Sequence, residues 1–355
     1  MMATKFISRR EFSKRSLLLA GALQSLNGFG FSSGSKKLRS DWMVGKWGMM
    51  VHWIAPGPAP ERGARIDDLN EAVNAFNVPR FLNQFQQSGA DFLMFTIGQN
   101  TGFYASPNNV LDQLVGEGHA SKRDLILELA KGVHALKKKF IAYLPGEIAA
   151  PKALHEGFAW NRDNQAEFQK HYTQFIRQYS LQYGKHLDGW WFDGCYTKWP
   201  EYYIPRDWDL WLNASRAGNS AAVVAFNDGC FYVGSTQPPC PQQDYLSGEA
   251  WKFKDGKIAI GDREPVELFL PTDRFVPGTS CQFHVQLPID CDGQWMHNTP
   301  GPMPPPHYTD QELFPVVKTC LQVGGTVTLN MGIYQEGHIA ETTLAQLQRM
   351  KRQLS

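Results

Sequence analysis

The run Leu187 to Phe192, inside KHLDGWWFDGCY (Lys185 to Tyr196), is apolar and aromatic enough to predict a buried strand. A carboxylate stands at each end, Asp188 where the strand begins and Asp193 where it closes on Gly194. Desolvating a carboxylate is expensive, so each must have a partner or a task. Asp193 has two readings. It caps the turn with Gly194, or it stands at the mouth of an enzyme barrel, where strand carboxyl ends carry the catalytic groups.

The rest of the chain supplies more such strands. Trp47 to Trp53 (WGMMVHW) reads as strand one and Phe92 to Ile97 as strand two, which ends at Gly98-Gln99-Asn100. Between them Pro79 opens a helix through Leu82 and Phe85 that Gly89 stops. Ser121 with Asp124 predicts a capping box for a helix with the apolar face Leu125, Ile126, Leu129, Val133 and Leu136. Phe140 to Leu144 is strand three, closing on Pro145-Gly146-Glu147, and a helix with Phe168, Tyr172, Phe175, Ile176 and Tyr179 on one side leads into strand four. Ala221 to Phe226 is strand five, Tyr245 to Ala250 with Glu249 strand six, Cys281 to Leu287 strand seven and Thr326 to Met331 strand eight. Thr309 and Glu312 cap the helix before strand eight, and a last helix begins near Ala340. Eight strands with helices between most of them predict an α/β fold, a (β/α)8 TIM-like barrel forming a single catalytic domain over 38–355, with a doubly wound open sheet as the alternative. The strand-end polar residues His52, Gln99, Asn100, Glu147, Asp193, Asn227, Asp228 and Glu249 would then face one mouth, which moves Asp193 towards function.

Residues 1–37 stand apart from this pattern. Ser8-Arg9-Arg10-Glu11-Phe12-Ser13-Lys14, followed by the short apolar run Leu17 to Leu23, reads as a twin-arginine export signal and linker. That run is too short to span a bilayer, which takes ~20 residues, and no later run approaches this length. The expectation is an exported protein, periplasmic or secreted, met in transit by the twin-arginine machinery and without a stable membrane span. A formal net charge of +1 with 19% charged residues gives no basic face for nucleic acid. Eleven Trp among 13% aromatics suit a carbohydrate partner, because aromatic rings stack on sugars, although they also fill cores. None of the six cysteines forms a C-x-x-C pair, which argues against a zinc site. Cys230 with Cys240 and Cys281 with Cys291 are local disulfide options, and buried thiols are the alternative, above all for Cys195 and Cys320. No G-x-G-x-x-G or G-x-x-x-x-G-K-[ST] run marks a nucleotide site, and no cofactor or metal is expected.

Five segments in order resemble glycoside hydrolase family 29, the α-L-fucosidases. KWGMMVHW (Lys46 to Trp53) resembles the family's opening strand and GADFLMFTIGQNTGFYASPN (Gly89 to Asn108) its second strand and following loop. RDLILELAKGVHALKKKFIAYL resembles the helix and strand that come next, and LDGWWFDG the strand whose W-x-D carries the nucleophile. GGTVTLNMGIYQEGHI (Gly324 to Ile339) resembles the closing segment. The resemblance implies an exported glycoside hydrolase, retaining, that cleaves an α-L-fucoside or a fucose-like sugar. A catalytically weak or inactive carbohydrate-binding barrel is the alternative.

By the same resemblance Asp193 is the nucleophile, and Glu249, in DYLSGE, is the acid/base, with Glu147 as runner-up. His52 and Trp53 would bind the sugar by hydrogen bond and ring stacking. Tyr143 would wall the site, and only one of the adjacent Trp190 and Trp191 can face inward, with Trp191 taken as the one that does. Two departures stand out. The family's His-His pair after strand two is here Gln99-Asn100, amides that can hold hydroxyls but carry no charge, which points to a sugar other than plain fucose. The chain also ends after its eighth helix, so the β-sandwich that commonly follows the barrel is not expected, nor the accessory sugar contacts it brings.

Overall fold

The computed structural model describes residues 37–146, 152–196, 205–229, 237–250, 252–258, 266–268, 270–291 and 295–354. The strands are β1 (Trp47–Val51), β2 (Phe92–Thr96), β3 (Lys139–Pro145), β4 (Gly189–Asp193), β5 (Val223–Phe226), β6 (Phe253–Lys254), β7 (Lys257–Ile258), β8 (Val266–Glu267), β9 (His284–Pro288) and β10 (Thr326–Met331). The helices are α1 (Leu69–Ala75), α2 (Val78–Ser88), α3 (Asn109–Val115), α4 (Leu125–Ala135), α5 (Lys152–Gly157), α6 (Ala166–Tyr183), α7 (Trp208–Ser215), α8 (Asp310–Gln322) and α9 (Glu341–Leu354).

Seven strands form one parallel sheet in the order β5-β4-β3-β2-β1-β10-β9. Parallel pairing forces a crossover between successive strands, and the helices supply it. All seven strands therefore end along the same edge of the sheet. Each strand sends alternate side chains to opposite faces. Trp190 and Phe192 turn outwards, stacked on each other, and Phe192 meets Trp211 of α7 edge-on. Trp191 turns inwards and joins Met50, Phe92, Met94, Ile141, Tyr143, Val223, Ala225 and Tyr245 in a second, inner cluster. A buried ring of this size is worth about 3–5 kcal/mol relative to alanine. The outward face thus carries much of the stability, and the inward face leads to the strand ends.

The expected sixth strand is corrected here. Residues 244–250 lie between β5 and β9, but only as isolated bridges, Tyr245 to Gln282 and Glu249 to Gln286. The Asp244 N–H donates to Val224 O on the β5 side, while Leu246 N–H and Ala250 N–H donate to Gln282 O and Gln286 O on the β9 side. Gly248, at φ +67°, breaks the extended pleat between the two bridges, and a Cβ there would lie 2.1 Å from His284 O. At the start of the same segment the Asp244 carboxylate takes the Val224 N–H and pairs with Arg216 at 2.7 Å.

Other expectations shift by one to three residues, as element ends do; strand seven begins at His284 where Cys281 was expected. The helix over Leu125–Ala135 is capped by Asp124, whose side chain accepts from Leu127 N–H, and not by Ser121, whose hydroxyl donates to Arg123 O. Thr309 and Glu312 form the expected capping box on α8. The three-stranded antiparallel sheet β6-β7-β8 was not expected. Cys195, Cys240, Cys281, Cys291 and Cys320 are buried thiols, so the Cys281–Cys291 bridge does not form, and Cys230 lies outside the described residues. Burial pushes the Cys240 thiol up to about 11 and the Cys320 thiol to about 12. Asp188 is buried at the far end of β4 from Asp193, where it pairs with Lys139 at 2.7 Å and His134 at 2.6 Å and accepts the Phe140 N–H. Among the described residues no helix is long and apolar enough to cross a membrane.

Candidate active site

Because β4 keeps its two-residue alternation to the last position, Asp193 continues the inward face of Trp191. Its carboxylate accepts three hydrogen bonds, which uses the acceptor-only character of an ionised carboxyl group. Oδ2 takes the Tyr143 phenol proton at 2.6 Å, and Oδ1 takes Asn227 Nδ2 and the Gly194 N–H, each at 2.8 Å. Tyr143, two residues before the end of β3, lies on the same face one strand over, paired with Trp191, and its ring stacks on Trp191 with centroids 5.2 Å apart and planes 17° apart. The Trp191 indole N–H is tied to Ser247 O, which fixes the ring under the phenol. Burial first, and the Asp193 charge second, push the Tyr143 hydroxyl well above the ordinary phenol range. It remains a proton donor to Asp193.

Asn227 follows β5 and is fully buried. Its backbone N–H donates to Phe192 O, and its carbonyl accepts from Cys195 N–H, so the ends of β4 and β5 are stitched together. The same amide nitrogen that meets Asp193 also donates to Glu249 Oε2 at 2.5 Å. Both hydrogens of one NH2 group are thus spent on two carboxylates. The two oxygens can be no further apart than those two bonds laid end to end. Glu249 itself is only 8% exposed and is carried by the 244–250 segment, just beyond the Gly248 kink.

His52 continues the inward face of β1 beyond Met50 and is 4% exposed. Its Nδ1 lies 2.8 Å from Asn330 Oδ1 at the end of β10. Asn330 Nδ2 is already a donor to Trp295 O, so Oδ1 must accept and Nδ1 must carry the proton. That tautomer leaves Nε2 as an acceptor. Burial lowers the imidazole to about 4, against a smaller pull upwards from Asn330 and the Asp193 charge, so it is neutral at physiological pH. The ring meets Tyr143 edge-on at 5.2 Å.

The structure brings Asp193, Glu249, Tyr143, Trp191, His52 and Gln99 to this end of the sheet. Gln99 Nε2 donates to the Tyr143 oxygen. Two sequence candidates stand elsewhere. Trp53 is fully buried in the outer core, its indole N–H on Gln335 O and its ring edge-on to Phe76, because it directly follows the inward-facing His52 and so takes the opposite face. Asn100 is exposed in the turn after Gln99 and takes no part in the network. Glu147 lies outside the described residues. Two residues outside the sequence-derived site hold it together. Asn227 stood among the strand-end polar residues without a role, and Asn330 is signalled by the alternation of Thr326, Thr328 and Asn330 along an otherwise apolar strand.

A family profile described as alpha-L-fucosidase matches residues 66–355. No curated protein matches the sequence. Among solved structures, the endo-fucoidan hydrolase P5AFcnA of glycoside hydrolase family 107 has a TM-score of 0.62 at 13% identity, over 89% of this chain and 93% of its own. The endo-fucoidan hydrolase MfFcnA4 of the same family has a TM-score of 0.59 at 16% identity, over 89% of this chain and 53% of its own, so this chain spans about half its length. Alpha-L-fucosidase isoenzyme 1 from Paenibacillus thiaminolyticus has a TM-score of 0.59 at 15% identity, over 89% of this chain and 75% of its own. These likenesses are of fold, and the family rests on the profile, which spans the segment from α1 to the end of the chain: the protein belongs to the alpha-L-fucosidase family.

Proposed function

We propose that the protein is an exported glycoside hydrolase that cleaves α-L-fucosides, or glycosides of a fucose-like sugar, with retention. The observation that carries this is the pair of carboxylates, Asp193 and Glu249, held on one amide nitrogen of Asn227. Two bonds of 2.8 and 2.5 Å keep the facing oxygens within the ~5–5.5 Å of a retaining pair, short of the ~6.5–9.5 Å that admits a water in an inverting one. In this reading 244–250 is the sixth stave of a closed (β/α)8 barrel, supported by its backbone bonds to both β5 and β9.

Asp193 attacks the anomeric carbon and forms a glycosyl–enzyme bond as the leaving oxygen departs. The Glu249 carboxyl group gives that oxygen its proton, then as a carboxylate takes a proton from the water that releases the sugar. Tyr143 holds Asp193 in line, and neutral His52 offers Nε2 to a sugar hydroxyl. Proton NMR of an aryl α-L-fucoside or α-L-galactoside during hydrolysis should show the α-sugar first, with the β-anomer appearing only by mutarotation. The β-sugar first would overturn retention. No hydrolysis of any aryl glycoside would favour the second reading, a sugar-binding barrel without turnover, which Gln99-Asn100 in place of two histidines motivates.

The export part rests on Arg9-Arg10 in S-R-R-x-F-x-K, outside the described residues. Replacing both arginines with lysine should leave the precursor in the cytoplasm, seen by fractionation. Unchanged export of that variant would remove the twin-arginine route, and a native precursor that stays in the cytoplasm would remove the periplasmic or secreted destination.

A further inference from the structure

Arg206 stands in the chain between β4 and α7, and one nitrogen of its guanidinium joins two strand-end turns. Nη2 donates to Gly146 O after β3 and to Gly194 O after β4, each at 2.8 Å. Both glycines are themselves bonded to Asp193. The Gly194 N–H donates to Asp193 Oδ1 at 2.8 Å, and the Gly146 N–H donates to the Asp193 carbonyl at 2.5 Å. The peptide after Gly194 is held from its other side, because Cys195 N–H donates to Asn227 O. The two turns touch, so that a Cβ on Gly146 would lie 2.7 Å from Asp193 O. Arg206 is in turn fixed from α6. The buried Gln169 amide accepts the Asp207 N–H at 2.8 Å and donates to Pro205 O at 2.9 Å, which clamps the chain on both sides of the arginine. The guanidinium lies over the Trp211 ring, 5.6 Å from its centroid.

We propose that Arg206 is a positioning residue: it fixes the turn that carries Asp193, so that the carboxylate is already aligned when a glycoside binds. The proposal rests on the hydrolase reading above. A nucleophile at a strand end sits where the ladder stops, and the last pairs here are Pro145 with Asp193 and Phe192 with Phe226. Beyond them the main chain needs another anchor. Tyr143 and Asn227 hold the carboxylate oxygens, while Arg206, acting through Gly146 and Gly194, holds the backbone from which the carboxylate hangs. Attack on an anomeric carbon is sensitive to this, since a misplacement of ~1 Å can slow a reaction ~10²-fold. The planar guanidinium spreads its donors in a rigid fork and keeps its charge at every working pH. A lysine ammonium on its flexible stem would fix the two carbonyls less firmly.

The test compares Arg206→Met and Arg206→Lys with the wild type on aryl α-L-fucosides and α-L-galactosides. Arg206→Met should lower kcat/KM about 100-fold for poor and activated leaving groups alike, because attack by Asp193 is slowed whatever departs. The inhibition constants of free L-fucose and L-galactose should change less than ~3-fold, since alignment of a nucleophile counts in the transition state and not in ground-state binding. Arg206→Lys should recover part of the loss, as one donor can still reach the carbonyls. Arg274→Met is the control. It breaks an ion pair with Asp41 in the segments ahead of β9 and β1, and should lower stability with kcat/KM per folded molecule unchanged. Hydrogen exchange followed by mass spectrometry reads the clamp without turnover. Peptides covering Gly146 and Gly194–Cys195 should exchange at least ~10-fold faster in Arg206→Met than in the wild type. Wild-type kcat/KM in folded Arg206→Met, or a loss of sugar binding that matches the loss of kcat/KM, would overturn the positioning role. If the wild type hydrolyses no aryl glycoside, the hydrolase reading fails by itself, and unchanged exchange at the two turns would separately overturn the clamp.

Discussion

Asp193→Asn should abolish turnover, by on the order of 10⁴-fold or more in kcat, as removal of a covalent nucleophile does. The protein should still fold. The amide oxygen can sit at the Oδ1 position and accept from Asn227 and Gly194, leaving the NH2 group opposite Tyr143. The phenol oxygen has two lone pairs, one taken by Gln99 and one open to that NH2 group once the hydroxyl proton rotates away. Geometry survives and the proposed nucleophile does not. Asp193→Ala should be equally inactive but leave space for azide, which would attack the anomeric carbon of an activated aryl α-fucoside, displace the aryloxide and give the β-fucosyl azide. Asp188→Asn is the contrast. It removes charge from the Lys139 and His134 pairs at the far end of the strand, and should lower unfolding stability by about 1–3 kcal/mol in urea with activity per folded molecule unchanged. Near-normal rates for Asp193→Asn on a substrate the wild type cleaves would end the assignment.

How much of this could be read from the residues follows from which signals are local. β10 matches its expected Thr326 to Met331 because a run buried on both faces, bounded by Gly325 and Gly332, leaves little choice of ends. The inward turn of Trp191 was legible as one of two alternatives, since two neighbours on a strand must part. Which one faces in depends on packing against α7, which no local pattern contains. The same alternation applies to His52 and Trp53: with His52 inward, the residue after it must turn to the other face, where Phe76 and Gln335 receive it. The β6–β7 hairpin carried a readable signal: Asp255-Gly256 between short apolar-polar pairs is a two-residue turn, and both residues adopt positive φ, +51° and +73°. The expected sixth strand, Tyr245 to Ala250, forms only isolated bridges, because Gly248 reads as a turn or a kink with equal ease until the neighbouring strand is in place. The carboxylate pair depended most on the fold. Asp193 and Glu249 are joined through Asn227, which looks from the sequence like an ordinary strand-end residue.

That dependence makes Glu249 the sharper test. In the proposed role of proton donor it should matter in proportion to how badly the leaving group needs a proton. Glu249→Gln should therefore hydrolyse glycosides of poor leaving groups ~10²–10⁴-fold more slowly than the wild type, while the first step with a dinitrophenyl glycoside stays close to normal. The alkaline limb of the kcat/KM profile reports loss of the acidic proton, so it should disappear in the variant. Glu249→Ala should respond to azide in the opposite stereochemical sense to Asp193→Ala. The anion would attack the glycosyl–enzyme bond without needing a base, and the product would be the α-fucosyl azide. Asn227→Ala adds a check on the geometry. Without the shared amide, both carboxylates lose a donor and their spacing is no longer set, so poor and activated substrates should slow together. A Glu249→Gln deficit equal for all leaving groups, with the alkaline limb intact, would return Glu249 to a structural role beside Asn227. Glu147, the runner-up in the sequence, would then be the carboxylate to replace.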